Sequence, residues 1–388
     1  MKRYIDMIRS RTPLPREKVN LEPLYETPLA PFLEAMEKTP QSPVYHAEGN
    51  VLNHTKRVLR ELVTCDEYAK ETEEGRFILF LAALLHDIGK IECTKVEGAE
   101  IISPRHSIVG SKMARRLLWQ KLSLSGDAES IRLREAICML IRYHSYPPFC
   151  IEDKDDLRLH RIAANGELCD AFSLRRLITL EYSDVFGRIG SGVYGMGEKM
   201  TYCEMMAEEL GILDTPYPFV SEYSRRAYFK RRLNFRGGDL FKPDSFEVVL
   251  MSGLPGTGKD TYISKNLRGM QVVSLDDIRD ELGVSPTDNQ SKVVAAAHER
   301  AKVLLRKKEP FVWNATSITA ELRAIQISLF EEYGASVRCV YLETECNENL
   351  RRNAERERQV PERVIEKLLS RLELPEIYEC EKVEWHAV

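Results

Sequence analysis

The sequence has no C-x-x-C pair among its nine cysteines, no apolar run long enough to cross a bilayer and no excess of positive charge. Scattered cysteines read as reduced thiols rather than a disulfide framework or a zinc site, which points to a cytoplasmic setting. The longest apolar run, Phe77–Leu85, falls far short of the roughly 20 residues a membrane span needs, and it runs into His86-Asp87. The opening Met1-Lys2-Arg3-Tyr4-Ile5-Asp6 is too charged for a signal peptide, so no membrane role is expected. A formal net charge of -4 supplies no global field for wrapping a duplex. Any nucleic-acid contact must therefore come from a local, salt-sensitive patch, and contact with strand ends suits this balance better. Internal repeats and low-complexity runs are missing as well.

What is present divides into stretches of different texture. At 388 residues and 43% apolar content the chain can bury two or three cores. Residues 1–45 carry Pro13, Pro15, Pro23, Pro28, Pro31, Pro40 and Pro43, which predicts an extended lead-in. Residues 46–213 show apolar spacings of three and four in Val51–Val63, Arg76–Leu85, Ser107–Leu118, Ser130–Tyr143 and Ser173–Val185, an all-α pattern. Residues 214–245 form an interdomain stretch in which Arg225, Arg226, Lys230, Arg231, Arg232 and Arg236 alternate with Tyr223, Tyr228, Phe229 and Phe235. That composition fits either a solvated linker or a surface that holds a nucleic-acid strand by charge and stacking.

From residue 246 to 388 apolar strands alternate with helices: Phe246–Met251, Gln271–Leu275, Pro310–Trp313, Ser336–Leu342 and Lys382–His386. This order predicts βαβ crossovers and a parallel sheet with ligand at the strands' carboxyl ends. The first strand runs into Gly253-Leu254-Pro255-Gly256-Thr257-Gly258-Lys259, which fits G-x-x-x-x-G-K. Glycines turn backbone N–H groups onto a phosphate, the next helix offers its positive end, and Lys259 reaches the β/γ oxygens of ATP. Asp260 stands where the pattern wants Ser or Thr, and Thr261 follows one place late. Asp276 and Arg279, three apart on a predicted helix, share a face that suits an acceptor hydroxyl. Arg323 is a weaker candidate for the same half.

In the helical half, six of the eight histidines fall between His46 and His160. The adjacent pair His86-Asp87 closes an apolar helix, and a buried His-Asp pair needs a reason to leave water. A divalent cation supplies one: His54, His86, Asp87 and Asp184 form a four-ligand set with open positions, and His106 with His144 can hold a second ion.

The run Leu84-Leu85-His86-Asp87-Ile88-Gly89-Lys90 resembles the signature of the HD-domain phosphohydrolases. His46-Ala47-Glu48-Gly49 with His54-Thr55 resembles the lead found in the branch related to the HD domains of tRNA nucleotidyltransferases. This resemblance implies that His54, His86, Asp87 and a late Asp bind metal, with two further histidines for a second ion. Asp184 or its rival Asp170 supplies the late Asp. Lys90 either meets a phosphoryl oxygen or is an exposed helix-end lysine; His46 and Arg188 are further substrate contacts.

Residues 246–388 resemble the P-loop polynucleotide kinases that act on 5′-OH ends, through Gly253–Lys259, Ser274–Arg279, Trp313-Asn314-Ala315-Thr316 and Arg352-Asn353-Ala354-Glu355-Arg356. By that resemblance Asp276 takes the proton of the 5′-hydroxyl, Arg279 engages the acceptor's phosphate, and Arg356 contacts the transferring phosphoryl group. Asn314 stands where many relatives carry Asp, so Asp260 is expected to supply the missing charge toward Mg2+. The whole order resembles the bacterial bifunctional HD-domain polynucleotide kinases of RNA repair. ATP, Mg2+ and one or two transition-metal ions are the implied cofactors. RNA ends, with DNA not separated from RNA, and an RNA ligase are the implied partners. Two other readings stay open: a nucleotide phosphohydrolase fused to a small-molecule or tRNA kinase, and an ATP-sensing module without turnover.

Overall fold

The computed structural model describes every residue except 1, 99, 286, 287 and 356–358. The chain falls into two compact units, Met1–Tyr217 and Pro218–Val388.

The first unit is helical apart from a short antiparallel hairpin, β1 (Lys95–Glu97) with β2 (Glu100–Ile102). Its centre is the Glu73–Leu85 helix, whose residues from Phe77 to Leu85 are all buried. A helix apolar all round belongs inside a bundle, and this one is surrounded rather than laid on a surface. Thr72 starts it by accepting from the Gly75 N–H at 3.0 Å. Around it pack the helices Val51–Thr64, Ala128–Tyr143 and Leu174–Gly187, and the His106–Gln120 helix packs on the Ala128–Tyr143 helix.

Two glycines set how closely these pieces approach. A Cβ on Gly89 would stand 2.1 Å from the His106 carbonyl oxygen and 2.5 Å from the Gly110 nitrogen. Only a bare backbone lets the turn after Asp87 reach the start of the His106–Gln120 helix. A Cβ on Gly187 would lie 2.9 Å from the Val58 nitrogen. That contact lets the end of the Leu174–Gly187 helix close on the helix that carries His54, where Arg57 Nε also donates to the Gly187 carbonyl at 2.7 Å.

The proline-rich lead-in is not extended throughout. It contains helices at Lys2–Ser10 and Ala30–Lys38 and a 3-10 turn at Glu22–Glu26, and it buries Leu24, Leu29, Leu33 and Met36. Pro23 and Pro31 sit in the first turn of their elements, where the missing N–H has no intrahelical partner to lose.

The second unit is a five-stranded sheet: β3 (Glu247–Ser252), β4 (Gln271–Ser274), β5 (Phe311–Asn314), β6 (Ser336–Glu343) and β7 (Lys382–Ala387). Its order is β4-β5-β3-β6-β7 and every pairing is parallel. Val248, Val249, Leu250 and Met251 are fully buried, as a central strand covered on both faces requires. The stretch expected as a linker belongs to this unit from residue 218 onward. It forms the Glu222–Phe229 helix with Tyr228 and Phe229 buried. Arg226 Nε donates to Glu331 Oε1 at 2.7 Å, and Lys230 lies 2.7 Å from Glu331 Oε2. Two of its cations are therefore engaged in packing, and Tyr228 and Phe229 are core residues rather than part of an exposed stacking strip.

One buried ionic cluster ties two helices of the first unit. Arg115 Nη2 donates to Glu135 Oε2 at 2.7 Å and Arg134 Nε to Glu135 Oε1 at 2.8 Å, with Glu135 and Arg134 essentially without exposure. Burial alone would raise the Glu135 carboxyl, but the Arg115 and Arg134 guanidiniums hold it below its ordinary value. Glu135→Ala removes the carboxylate that compensates two buried guanidiniums and is expected to cost about 3–5 kcal/mol, read as a lowered urea midpoint for the first unit. Because the folded-state pKa is depressed, Glu135 stabilises fully above the ordinary carboxylate range. Its contribution fades as pH falls through the folded value, so wild type and variant should converge in acid.

Candidate functional site

In the first unit the candidate site is built from helix ends. His54 rises from the first turn of the Val51–Thr64 helix, which Asn50 caps by accepting from the Asn53 N–H at 2.8 Å. His86 and Asp87 follow the last turn of the central helix, and His144 follows the Ala128–Tyr143 helix in the same way. His106 begins its own helix, and Asp184 lies near the end of the Leu174–Gly187 helix.

Asp87 is the hub. Its Oδ2 lies 3.3 Å from His86 Nε2, 3.8 Å from His54 Nε2 and 2.7 Å from Lys90 Nζ. Its Oδ1 lies 3.4 Å from His106 Nε2 and 4.0 Å from His144 Nε2. Asp184 Oδ1 joins from the other side, 2.8 Å from His54 Nε2 and 3.9 Å from His86 Nε2. All four expected histidines and both expected aspartates therefore meet in one place. The rival Asp170 does not: it is exposed and pairs with Arg132 at 3.1 Å.

The chemistry of the donors fits divalent metal. His86, His106 and His144 each place Nδ1 on the carbonyl three residues earlier, Ala83, Ser103 and Ile141, at 2.7, 2.9 and 2.7 Å. A ring that donates from Nδ1 presents the lone pair of Nε2, and these three Nε2 atoms point at Asp87. His86 Nε2 is buried with no hydrogen-bond partner. Three triads satisfy the spacing a metal needs: His46, Glu48 and His54; His54, His86 and Asp87; and Asp87, His106 and His144. The last two share Asp87, which would belong to the ligand sets of both ions.

The electrostatics agree with this assignment. Burial, together with His86 and His106, pushes His144 down to about 3, and burial likewise lowers His106, so both offer lone pairs at neutral pH. Burial would lower His86 too, but the Asp87 carboxylate more than reverses it. A metal there would displace that ring's proton. Burial would raise Asp87 and Asp184. Lys90 and His86 hold Asp87 well below the usual carboxylate range, as Arg188 and His54 do Asp184.

Around the cluster stand groups able to meet a phosphoryl oxygen. Lys90 is 7% exposed and donates to Gln41 Oε1 at 2.6 Å, so it faces the cluster and not solvent. Arg188 donates through Nε to Asp184 Oδ1 at 3.1 Å and pairs through Nη2 with the other oxygen. His46 Nε2 lies 3.5 Å from Lys90 Nζ. A cleft of about 240 Å3 opens over them, with Ser103, His106 and Ser145 on its wall. The sequence reading gave no role to Glu48, whose Oε1 lies 2.9 Å from His46 Nδ1 and 2.8 Å from His54 Nδ1. The H-x-E spacing was its only signal. Glu181 and Gln41 were also missed, being unremarkable in composition; burial and the neighbouring Asp184 charge raise Glu181 well above its ordinary value.

In the second unit the phosphate-type loop leaves β3 at the carboxyl edge of the sheet. Gly253, Gly256 and Gly258 have φ of 145°, 84° and 79°. A Cβ on Gly253 would stand 2.5 Å from the Leu342 carbonyl, so both conformation and space demand glycine. Thr257 is buried and donates to the Leu254 carbonyl at 2.9 Å; Pro255 offers its carbonyl to Asn349 Nδ2 at 2.7 Å. Lys259 begins the Lys259–Asn266 helix and folds back to donate to the Gly253 and Leu254 carbonyls at 3.0 and 2.9 Å. Thr261 lies in that helix's first turn and is exposed.

The other expected groups lie on the carboxyl side of neighbouring strands. Asn314 ends β5, and its Nδ2 donates to Asp260 Oδ1 at 2.7 Å. Asp276 and Arg279 follow β4 and are hydrogen-bonded to one another through Oδ1 and Nη1, while Arg279 Nε also donates to Gln290 at 2.9 Å. Arg352 Nη1 lies 3.6 Å from where a Cβ on Gly258 would stand, which puts a cation beside the loop. Arg356 falls outside the described residues. Arg323 is buried, held by Glu379 at 2.7 Å and by the carbonyls of Ser317, Glu373 and Leu374, so it serves packing and not phosphate.

Comparison with known proteins agrees with this division. Residues 51–163 match the family model described as HD domain, and residues 248–375 match that described as AAA domain. The chain is 25% identical over 193 residues to a protein named bifunctional polynucleotide phosphatase/kinase from Schizosaccharomyces pombe. The match takes in 45% of this chain and 44% of that protein, so the chain spans less than half the length of this relative. An HD domain implies a divalent metal, and a P-loop kinase-like domain implies ATP with Mg2+. Among the described residues no helix is long and apolar enough to cross a membrane. The chain thus joins a helical HD domain to a P-loop domain with a parallel sheet.

If Asp87 belongs to both ligand sets, Asp87→Ala should empty both positions, whereas His144→Ala should lower bound metal by about one equivalent. Elemental analysis of protein purified with added Mn2+ or Ni2+ gives the count.

Proposed function

We propose that the chain heals broken RNA ends, removing 2′-phosphate, 3′-phosphate or 2′,3′-cyclic phosphate with its first unit and phosphorylating 5′-OH ends with its second. The observation that carries this reading is that both units present phosphate-directed sites of different chemistry: a metal-type cluster flanked by Lys90 and Arg188, and a glycine loop with an acceptor-type carboxylate. RNA broken by transesterification bears just those two ends. The name of the S. pombe relative pairs a polynucleotide phosphatase with a kinase.

In the first unit His54, His86, Asp87 and Asp184, with His106 and His144, would hold divalent metal, which when bound would supply Lewis-acid polarisation of the phosphoryl group. Lys90 and Arg188 meet the non-bridging oxygens, His46 holds the substrate side of the cleft, and Glu48 orients His54 and His46. In the second unit the loop N–H groups and Lys259 hold the β and γ phosphates of ATP. Asp276 takes the proton of the 5′-hydroxyl as its oxygen attacks the γ-phosphorus and ADP leaves. Arg279 is released from Asp276 to engage the acceptor's phosphate, and Arg352 and Arg356 neutralise the transferring group. Healed ends, of RNA or of DNA, then suit a ligase.

Asp260 is assigned to Mg2+. A carboxylate beside a triphosphate is repulsive unless a cation lies between them. Asn314 accounts for one Asp260 oxygen and leaves the other for the ion or its water. Calorimetry of ATP binding with and without Mg2+ tests this assignment: Asp260→Ser should shrink the affinity gained from Mg2+ about tenfold, and an unaltered gain would refute it.

The main test is incubation of a 5′-OH, 2′,3′-cyclic-phosphate RNA with ATP under varied divalent cations, followed by analysis of each end. Phosphate should leave the 3′ side and appear on the 5′ side. His86→Ala with Asp87→Ala should abolish the first change and spare the second, and Asp276→Ala should do the reverse. Equal transfer to free nucleosides would instead point to a small-molecule kinase, and ATP binding without transfer to a regulatory module.

A further inference from the structure

The cleft over the metal-type cluster has two features that its phosphate chemistry leaves unused. Tyr45 and Phe149 line it together with Asp87, Lys90 and Arg188, and they are 48% and 44% exposed. Both rings stand half in water beside these charges, and neither belongs to the buried core. Each is coupled in sequence to a group at the cluster: Tyr45 precedes His46, and Phe149 lies on the Pro147–Glu152 turn that follows His144 and Ser145.

Both rings are backed on the protein side. A Cβ on Gly192 would fall 2.3 Å from Tyr45 Cε1 and 2.4 Å from Cδ1, so the ring lies against bare backbone there. That backbone is fixed: Gly192 N donates to the Val44 carbonyl at 3.0 Å, Ala47 N to the Ile189 carbonyl at 2.6 Å, and Ile189 N to Glu48 Oε2 at 3.0 Å. The part of the glycine-rich run around Gly192 therefore serves as the support of an aromatic ring. Phe149 has the Lys199 ammonium 5.5 Å from its ring centroid, and Lys199 is held in turn by Glu152 at 3.3 Å.

From this we infer that Tyr45 and Phe149 bind the base of the terminal nucleotide whose phosphate is placed at Asp87, Lys90 and Arg188. The inference rests on the phosphohydrolase reading above. A flat heterocycle is the ligand chemistry such supported rings favour, and stacking accepts any base because every base has a π face. The cleft then takes nucleotide phosphate ends in preference to baseless phosphate esters, without reading sequence.

The test uses the full chain loaded with metal and two substrates, a dinucleotide 3′-phosphate and the same compound with an abasic terminal sugar. Wild type should favour the base-bearing ester in kcat/KM. Tyr45→Ala and Phe149→Ala should each cut that preference about fivefold or more, mainly through KM, whereas Tyr45→Phe keeps it. Gly192→Ala, which pushes on the Tyr45 ring without touching the cluster, should cut it as well. A preference that is absent in wild type, or unaltered in both alanine variants, or an equal loss on both substrates, overturns the inference and leaves the phosphohydrolase standing. Release of phosphate by wild type from neither compound, whether supplied as the 3′-phosphate, the 2′-phosphate or the 2′,3′-cyclic phosphate, removes the phosphohydrolase reading, and this inference with it.

Discussion

The buried carboxylate of Asp87 is the constraint from which the first unit is built. A carboxylate taken out of water needs compensating partners on every side, and here they are Lys90, His54, His86, His106 and His144. Those partners come from four different places in the chain. Helix ends must converge to bring them together, which explains why bare backbone occurs where it does. Gly89 lets the turn after Asp87 touch the His106 helix, and Gly187 lets the Asp184 helix close on the His54 helix. The apolar central helix supplies the rigid wall from which His86 and Asp87 project.

The second unit is built on the opposite physical principle. Its loop uses backbone N–H groups and a helix N-terminus, which need glycine conformations and no buried charge. Asp260 and Asp276 are exposed and Lys259 rests on loop carbonyls, so these groups can be redirected at small cost when ligand arrives. The first unit holds its charges in a mutually compensating buried cluster; the second holds them at the surface around a glycine loop.

Local patterns were legible where periodicity is strong. The helices predicted at Val51–Val63 and Ser130–Tyr143 occur at Val51–Thr64 and Ala128–Tyr143, and all five strands of the sheet lie where alternation of strand and helix placed them. Proline density misled at the amino end, because Pro23 and Pro31 occupy first-turn positions that helices tolerate. Residues 218–245 misled for another reason. A run of cations looks solvated until its partners are known, and Glu331 lies about a hundred positions away in sequence. The same distance effect hid Arg323, whose partner Glu379 and two of its carbonyl acceptors, Glu373 and Leu374, lie in later segments.

By itself the sequence determined the chemistry available: a His-Asp pair ending an apolar helix, further histidines at helix ends, and a glycine loop between strand and helix. These are local, and their physics does not depend on the rest of the fold. Which aspartate joins His54, which way Lys90 faces, what Asp260 touches and which aromatics stand in the cleft were decided only by tertiary structure. Each of those depends on the approach of segments far apart in the chain, set by close backbone contacts and by the need to compensate buried charge, and no spacing along the sequence encodes that approach.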